Sequence, residues 1–227
     1  MTPLRFFIDF DGTITKTDVV DMILERFGLS QWTGVEKLWL EGKIGSRECL
    51  SRQMDLVSAT GQEFMVLLDE VQIDPYFVDF VRQTKHLNIP VAIISDGFDI
   101  VIDHVLKKAF WESPGLLQNL PVYSNKLKYI PPAGFKVHFP DGNLCEHACA
   151  NCKERVVQSL RAAGERTVFV GDGLSDRFGA RVSDLTFAKN KLLKFCAEHQ
   201  IQHRAYSNFK EIGEWLSEER KGAHAYV

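Results

Sequence analysis

The sequence predicts an α/β fold, an open parallel sheet with a helical segment inserted after its first strand. Two observations carry this. Apolar runs at 4–8, 90–95 and 167–170 each fit a strand buried on both faces, and they end in Asp9-Phe10-Asp11-Gly12, Ser95-Asp96-Gly97 and Gly171-Asp172-Gly173. Between the first two runs, apolar residues recur at spacings of three and four, the signature of packed helices.

The elements follow in order. Leu4 to Ile8 is the first strand, broken only by Arg5; Asp9 and Asp11, one strand repeat apart, point to the same side. Asp18 caps a helix carrying Val19, Val20, Ile23, Leu24 and Phe27 that stops at Gly28. Ser30 is expected to cap a second, with Trp32, Val35, Leu38 and Trp39 as a packing stripe and Gly42 as its end. A third starts at Ser46, a fourth runs from about Gln62 to Val71, and Pro75 opens a helix over 76–87 that returns the chain to the sheet at 90–95. The expected division is therefore a core of 1–13 and 75–227 and a helical module of 14–74. A helix over 99–110 comes next. Residues 120–144, with Pro131-Pro132-Ala133-Gly134 and Asp141-Gly142, suggest short strands or a hairpin outside the main sheet. A helix over 153–163 leads into the strand 167–170, and the residues after Arg220 read as a tail.

Composition narrows the function. The chain has 227 residues, 45% of them hydrophobic, enough for a full core plus an insertion. Its 27 basic and 30 acidic residues are well mixed and give a net charge of −3, which offers no footprint for nucleic acid or an anionic membrane. Arg5 and Asp9 interrupt the N-terminal apolar run, so neither a signal peptide nor a membrane span is expected, and the cytoplasm is the default. The five cysteines, three of them within 145–152, are an odd number and read as reduced thiols or a metal site. Cys145, His147, Cys149 and Cys152 offer four soft ligands, but zinc sites usually draw ligand pairs from separated segments; a reduced, packed loop is the expectation and zinc the alternative.

In a parallel sheet all strands finish on one side, and a helix preceding a strand begins at that same edge. Asp9, Asp11, Ser95, Lys153, Asp172 and Asp176 therefore converge on one crevice. Carboxylates with no histidine or cysteine among them make a hard, oxygen-only site suited to Mg2+. Magnesium with an ammonium and a hydroxyl makes a cradle for a phosphoryl group, in which one carboxylate can act as nucleophile and another as acid and base. Asp9 and Asp11 fit those two roles.

These segments resemble, in order and without departure, the four motifs of the haloacid-dehalogenase-like (HAD-like) phosphatase superfamily, and the helical insertion resembles the cap of its phosphoserine-phosphatase-like branch. The resemblance implies a Rossmann-like core with a cap and a small phosphorylated metabolite as substrate. It implies Asp9 as nucleophile, Asp11 as acid/base, Ser95 on the phosphoryl oxygens and Lys153 neutralising an aspartyl-phosphate. Magnesium would be held by Asp9, the Asp11 carbonyl and Asp172, with Asp176 in support. Asp96 and Gly97 are further expected at the substrate, with Asp18 and Arg52 reaching it from the cap.

The cysteine-rich segment leading into Lys153 and the pair Ser124-Asn125 resemble those of phosphatases acting on 2-hydroxy-3-keto-5-methylthiopentenyl-1-phosphate in methionine salvage, and also those of phosphoethanolamine/phosphocholine phosphatases; the spacing from Ser46 to Arg52 resembles the former. Phosphoserine is a further alternative. Outside hydrolysis stand a non-catalytic sensor of phosphorylated ligands and a phosphotransferase or phosphonate-cleaving enzyme. A monomer or homodimer is expected.

Overall fold

The computed structural model describes residues 2–132, 134–140 and 145–224. The expected Asp141-Gly142 turn lies outside the described residues. Seven strands form one sheet: β1 (Leu4–Ile8), β2 (Val91–Phe98), β3 (Val122–Ile130), β4 (Gly134–His138), β5 (Arg166–Gly171), β6 (Leu185–Ala188) and β7 (His203–Ala205). Their order is β4-β3-β2-β1-β5-β6-β7, and every pairing is parallel except β3 with β4.

The central strand is β1. Phe6, Phe7 and Ile8 are fully buried, as a strand covered on both faces requires, and burial of each side chain contributes about 1.5–3 kcal/mol. Phe6 meets Phe80 and Trp215 edge-on on one face, while Phe7 packs with Ala92, Val157 and Phe169 on the other. Phe6 pairs with Val91 and Val168, so β2 and β5 flank β1 and deliver their carboxyl ends beside Asp9.

Between β1 and β2 come α1 (Val19–Phe27), α2 (Trp32–Leu40), α3 (Ser46–Asp55), α4 (Gly61–Glu70) and α5 (Phe77–His86). Asp18 caps α1 as expected, accepting the Asp21 N–H. Thr60 and Glu63 form a capping box at the start of α4. Ser30 does not cap α2: Gln31 occupies that position with no side-chain bond, and the Ser30 carbonyl instead accepts the Thr33 hydroxyl. No residue of α2 is fully buried: Trp32, Val35, Leu38 and Trp39 are half-buried, and Trp32 packs against the main apolar cluster. α1, α3 and α4 do pack inward, and their Ile23, Met54 and Leu67 belong to one apolar cluster with β1 and β2. Phe64 on α4 lies 4.6 Å from Phe135 on β4, ring to ring, and Lys136 pairs with Asp55 at 2.6 Å. The chain enters and leaves this helical layer side by side: Thr15 and Ile73 form an antiparallel bridge, flanked by Lys16 N–H to Gln72 O and Asp74 N–H to Ile14 O.

Two further expectations are corrected. Residues 122–130 are not outside the main sheet; β3 pairs with β2 through Ile93–Val122 and Ile94–Tyr123, and β4 closes that edge as a hairpin. The helix at the C-terminus, α10 (Phe209–His224), runs past Arg220. The other core helices are α6 (Asp99–Ala109), α7 (Lys153–Leu160), α8 (Arg177–Val182) and α9 (Asn190–Glu198). No described helix is long and apolar enough to cross a membrane.

Candidate active site

Lysine 153 is the centre of the crevice. Cys152 ends the preceding loop as the N-cap of α7, so Lys153 is the first helical residue, and its side chain is 1% exposed. Its Nζ donates to Asp9 Oδ1 and to Asp176 Oδ1, both at 2.5 Å, and Ser175 Oγ lies at 3.5 Å. Burial works against the ammonium charge, but Asp176, Asp9 and Asp96 outweigh it and hold Lys153 well above its ordinary pKa.

The three carboxylates of Asp9, Asp172 and Asp176 offer oxygens within 4.8 Å of one another. Asp9 follows β1 and is pinned by its own N–H to Val170 O at 2.9 Å. Burial pushes its carboxyl well above the ordinary range, Asp176 adds to the push and Lys153 opposes it. Asp176 is held from both sides: Lys153 occupies Oδ1, while the Asp172 and Gly173 amides donate to Oδ2 at 2.9 Å each. Asp172 accepts from Thr13 Oγ1 at 3.1 Å and Asn190 Nδ2 at 3.2 Å. Gly12, at φ +70°, passes so close that a Cβ there would sit 2.7 Å from Asp172 Oδ2. An oxygen-only trio around buried negative charge fits a hard divalent cation, Mg2+ above zinc.

Asp11 stands apart from that trio. Its Oδ1 accepts the Val19 N–H at 3.1 Å and its Oδ2 accepts Ser95 Oγ–H at 3.1 Å. Burial raises its pKa to about 6, against the opposing bonds from Val19 and Ser95. Ser95 Oγ in turn accepts the Gly97 N–H at 2.8 Å. The β2 ladder shifts register between Ile94 and Phe98, the kind of irregularity that re-aims side chains at a sheet edge. A Cβ at Gly97 would lie 2.5 Å from Asp11 Oδ2 and 3.0 Å from Ser95 Oγ. Asp96 accepts the Asn151 N–H at 3.1 Å, and burial raises it to about 6 despite Lys153. Asn151 also donates to the carbonyls of Ser95 and Tyr123, and Asn125 donates to that of Asp96, so the second strand end is tied to the loop before α7.

These groups open on a cavity of about 450 Å³ between the sheet edge and the inserted helices. Asp9, Asp11, Asp96, Gly97 and Asp172 line its floor, with Asp18 at the rim. Arg52 is not among its lining residues; it pairs with Glu48 one turn back, half exposed. The opposite wall is supplied by Val20, Asp21, Glu36, Trp39, Leu50 and Gln53, with Lys16 and Lys191 also lining the space. Trp39 Nε1 bonds Ser46 Oγ at 3.0 Å, and buried Gln53 bonds Glu36 at 2.8 Å. Sequence reasoning passed over this wall because a helical stripe reads as core until its tertiary partner is known. Asn190 was also passed over: it lies just after β6, at another strand end on the same edge, and a four-residue strand gives little sign of itself in the sequence.

A family model described as haloacid dehalogenase-like hydrolase matches residues 5–184. The 2-hydroxy-3-keto-5-methylthiopentenyl-1-phosphate phosphatase of Bacillus pumilus is 27% identical over 221 residues, covering 91% of this chain and 92% of that protein. The protein of the same name from Bacillus velezensis is 28% identical, covering 98% and 97%. Among solved structures, a substrate-bound phosphoserine phosphatase complex superimposes with a TM-score of 0.68 at 19% identity, covering 95% of this chain and 98% of that one. The family match spans most of the chain and includes the strand-end segments after β1, β2 and β5 and the start of α7 at Lys153: the chain belongs to the haloacid dehalogenase-like hydrolases.

Proposed function

We propose that this chain, a phosphoric monoester hydrolase, cleaves a small phosphorylated metabolite through an aspartyl-phosphate on Asp9, with 14–74 as the cap over a core of 1–13 and 75–227. The observation that carries the proposal is the buried Lys153 bridge between Asp9 and Asp176 beside an independently held Asp11. Asp9 has one oxygen engaged by Lys153, which orients the carboxylate and offsets charge as phosphate accumulates on it. Asp11, with its raised pKa, carries a proton for the departing oxygen and afterwards takes one from water. Ser95, fully buried beneath the cavity floor, orients Asp11 through its hydroxyl and would turn that hydroxyl to a phosphoryl oxygen of the bound substrate. Mg2+ bound by Asp9, Asp172 and the Asp11 carbonyl would neutralise phosphoryl charge. Asp176, with both oxygens already engaged, suits support of Asp172 rather than direct ligation.

The preferred substrate is 2-hydroxy-3-keto-5-methylthiopentenyl-1-phosphate, on the relatives' names and on an apolar wall of Val20, Trp39 and Leu50 suited to a thioether tail. The acids Asp21 and Glu36 beside Trp39 favour a second reading, phosphoethanolamine or phosphocholine, whose cationic ends such a wall attracts. Phosphoserine has less support: among the described lining residues no arginine is present to clamp its carboxylate with two hydrogen bonds, and Lys16 and Lys191 are the cations there. Magnesium-dependent phosphate release from these four esters, by the wild type and Asp9→Asn, tests the proposal. One preferred ester, with turnover lost in the variant, supports it; tight binding without release from any of them favours the sensor.

A further inference from the structure

The loop before α7 carries chemistry that phosphate hydrolysis does not use. The Sγ atoms of Cys145, Cys149 and Cys152 all lie within 4.8 Å of one another, and Phe178 closes the cluster on one side. The Cys145 carbonyl accepts the Ala148 N–H at 3.1 Å, which closes a tight turn at the start of the cluster. Ala148, at φ +50°, takes the left-handed conformation between the first two cysteines and reverses the chain there. That reversal is why one short segment can present three sulfurs to a common point, although the spacing made a packed, reduced loop the expectation and zinc the alternative.

We infer that Cys145, Cys149 and Cys152 form a zinc site, with three thiolate ligands and the fourth position open to water. Zn–S bonds of about 2.3 Å in a tetrahedral arrangement set sulfurs about 3.8 Å apart, a short contraction from the observed triangle. His147 is not the fourth ligand: its ring stacks on Phe178 at 4.1 Å and 8°. Each cysteine entering as thiolate releases its proton to solvent, so three thiolates around one Zn2+ leave a single negative charge. The guanidinium groups of Arg177 and Arg181, 4.4 and 6.0 Å from the Phe178 ring, bring positive charge to that side.

The site would brace two things at once. Cys152 caps the helix that begins with Lys153, and the Ala148 carbonyl accepts the Arg47 N–H from the start of α3. Zinc would thus fix the loop that aims the lysine and meets the inserted helices.

The test is elemental analysis of the full chain purified without chelator, beside Cys149→Ser, Cys152→Ser and the buried control Cys196→Ser. About one zinc per chain is expected in the wild type and the control, with at least a tenfold loss in the other two. Reduced, metal-stripped wild type titrated with Co2+ should also show sulfur-to-cobalt charge-transfer absorption that Zn2+ abolishes; oxygen ligation by the carboxylates gives no such band. Absence of both zinc and the band overturns the inference, as does zinc retained in both cluster variants.

Discussion

The backbone N–H of Val19 reaches Asp11 Oδ1 at 3.1 Å, so the proposed acid/base of the core is held by the first residue of the first inserted helix. A shift of α1 changes the hydrogen bonding of Asp11 directly, without an intervening side chain. Under the proposed chemistry, proton delivery would depend on the position of the proposed cap.

Asp11 gives the first prediction. With its pKa near 6, the protonated form needed by a departing alkoxide declines above that pH, so kcat/KM should fall on the alkaline side of about pH 6. Stability follows the same group: a carboxyl raised in the folded state contributes fully below its unfolded pKa, and that contribution is lost as pH rises through about 6. Asp11→Asn should therefore be inactive yet melt higher than the wild type at pH 7.5, with the gap closing below pH 4. Calorimetry across pH checks it; an equal gap at both ends would contradict it.

Lys153 gives the second. Replacing it with Met leaves two buried carboxylates, Asp9 and Asp176, without their shared cation, and should cost about 3–5 kcal/mol in urea unfolding. Adding Asp9→Asn to Lys153→Met should recover part of that loss, giving non-additivity in a double-mutant cycle.

For the nucleophile, Asp9→Asn should lower phosphate release by about 10³-fold or more while keeping the fold, because Asp176 still pairs with Lys153. Mass spectrometry of the wild type quenched during turnover should show one added phosphoryl group, and none in the variant.

A methyl at position 97 would press on Asp11 and Ser95 together. Gly97→Ala should reduce kcat by about 10²-fold, as a displacement near 1 Å does, with KM changed far less.

Trp39 tests the substrate. Trp39→Ala removes the large apolar face of the cavity wall and should raise KM for the methylthio ester by about 10-fold or more, while leaving kcat for a small generic ester within about threefold. Equal effects on both esters would argue that Trp39 serves packing alone.

The parts legible in the sequence were those fixed by strong local physics. β1, β2 and β5 are continuous apolar runs because both their faces are covered, and strand parallelism then brings Asp9, Ser95 and Asp172 to one edge. Lys153 follows from being first in a helix that starts at that edge. β6 and β7 have four and three residues and carry no such signal. β3 was misplaced because Ser124, Asn125, Lys126 and Lys128 break its apolar run, unlike a strand covered on both faces, and only its pairing with β2 reveals it. Arg52 was drawn towards the substrate by its charge, but a glutamate one turn away on the same helix satisfies it.

The bridge between Thr15 and Ile73 has a consequence for how such a chain could arise. Entry and exit of the inserted helices are neighbours joined by main-chain hydrogen bonds, so the chain passes into and out of the whole unit through one narrow double stem, whatever faces the helices then pack against. A ready-made helical piece could have been spliced into a short turn after the first strand, and later exchanged for another, without rerouting a single strand or disturbing the order of the sheet.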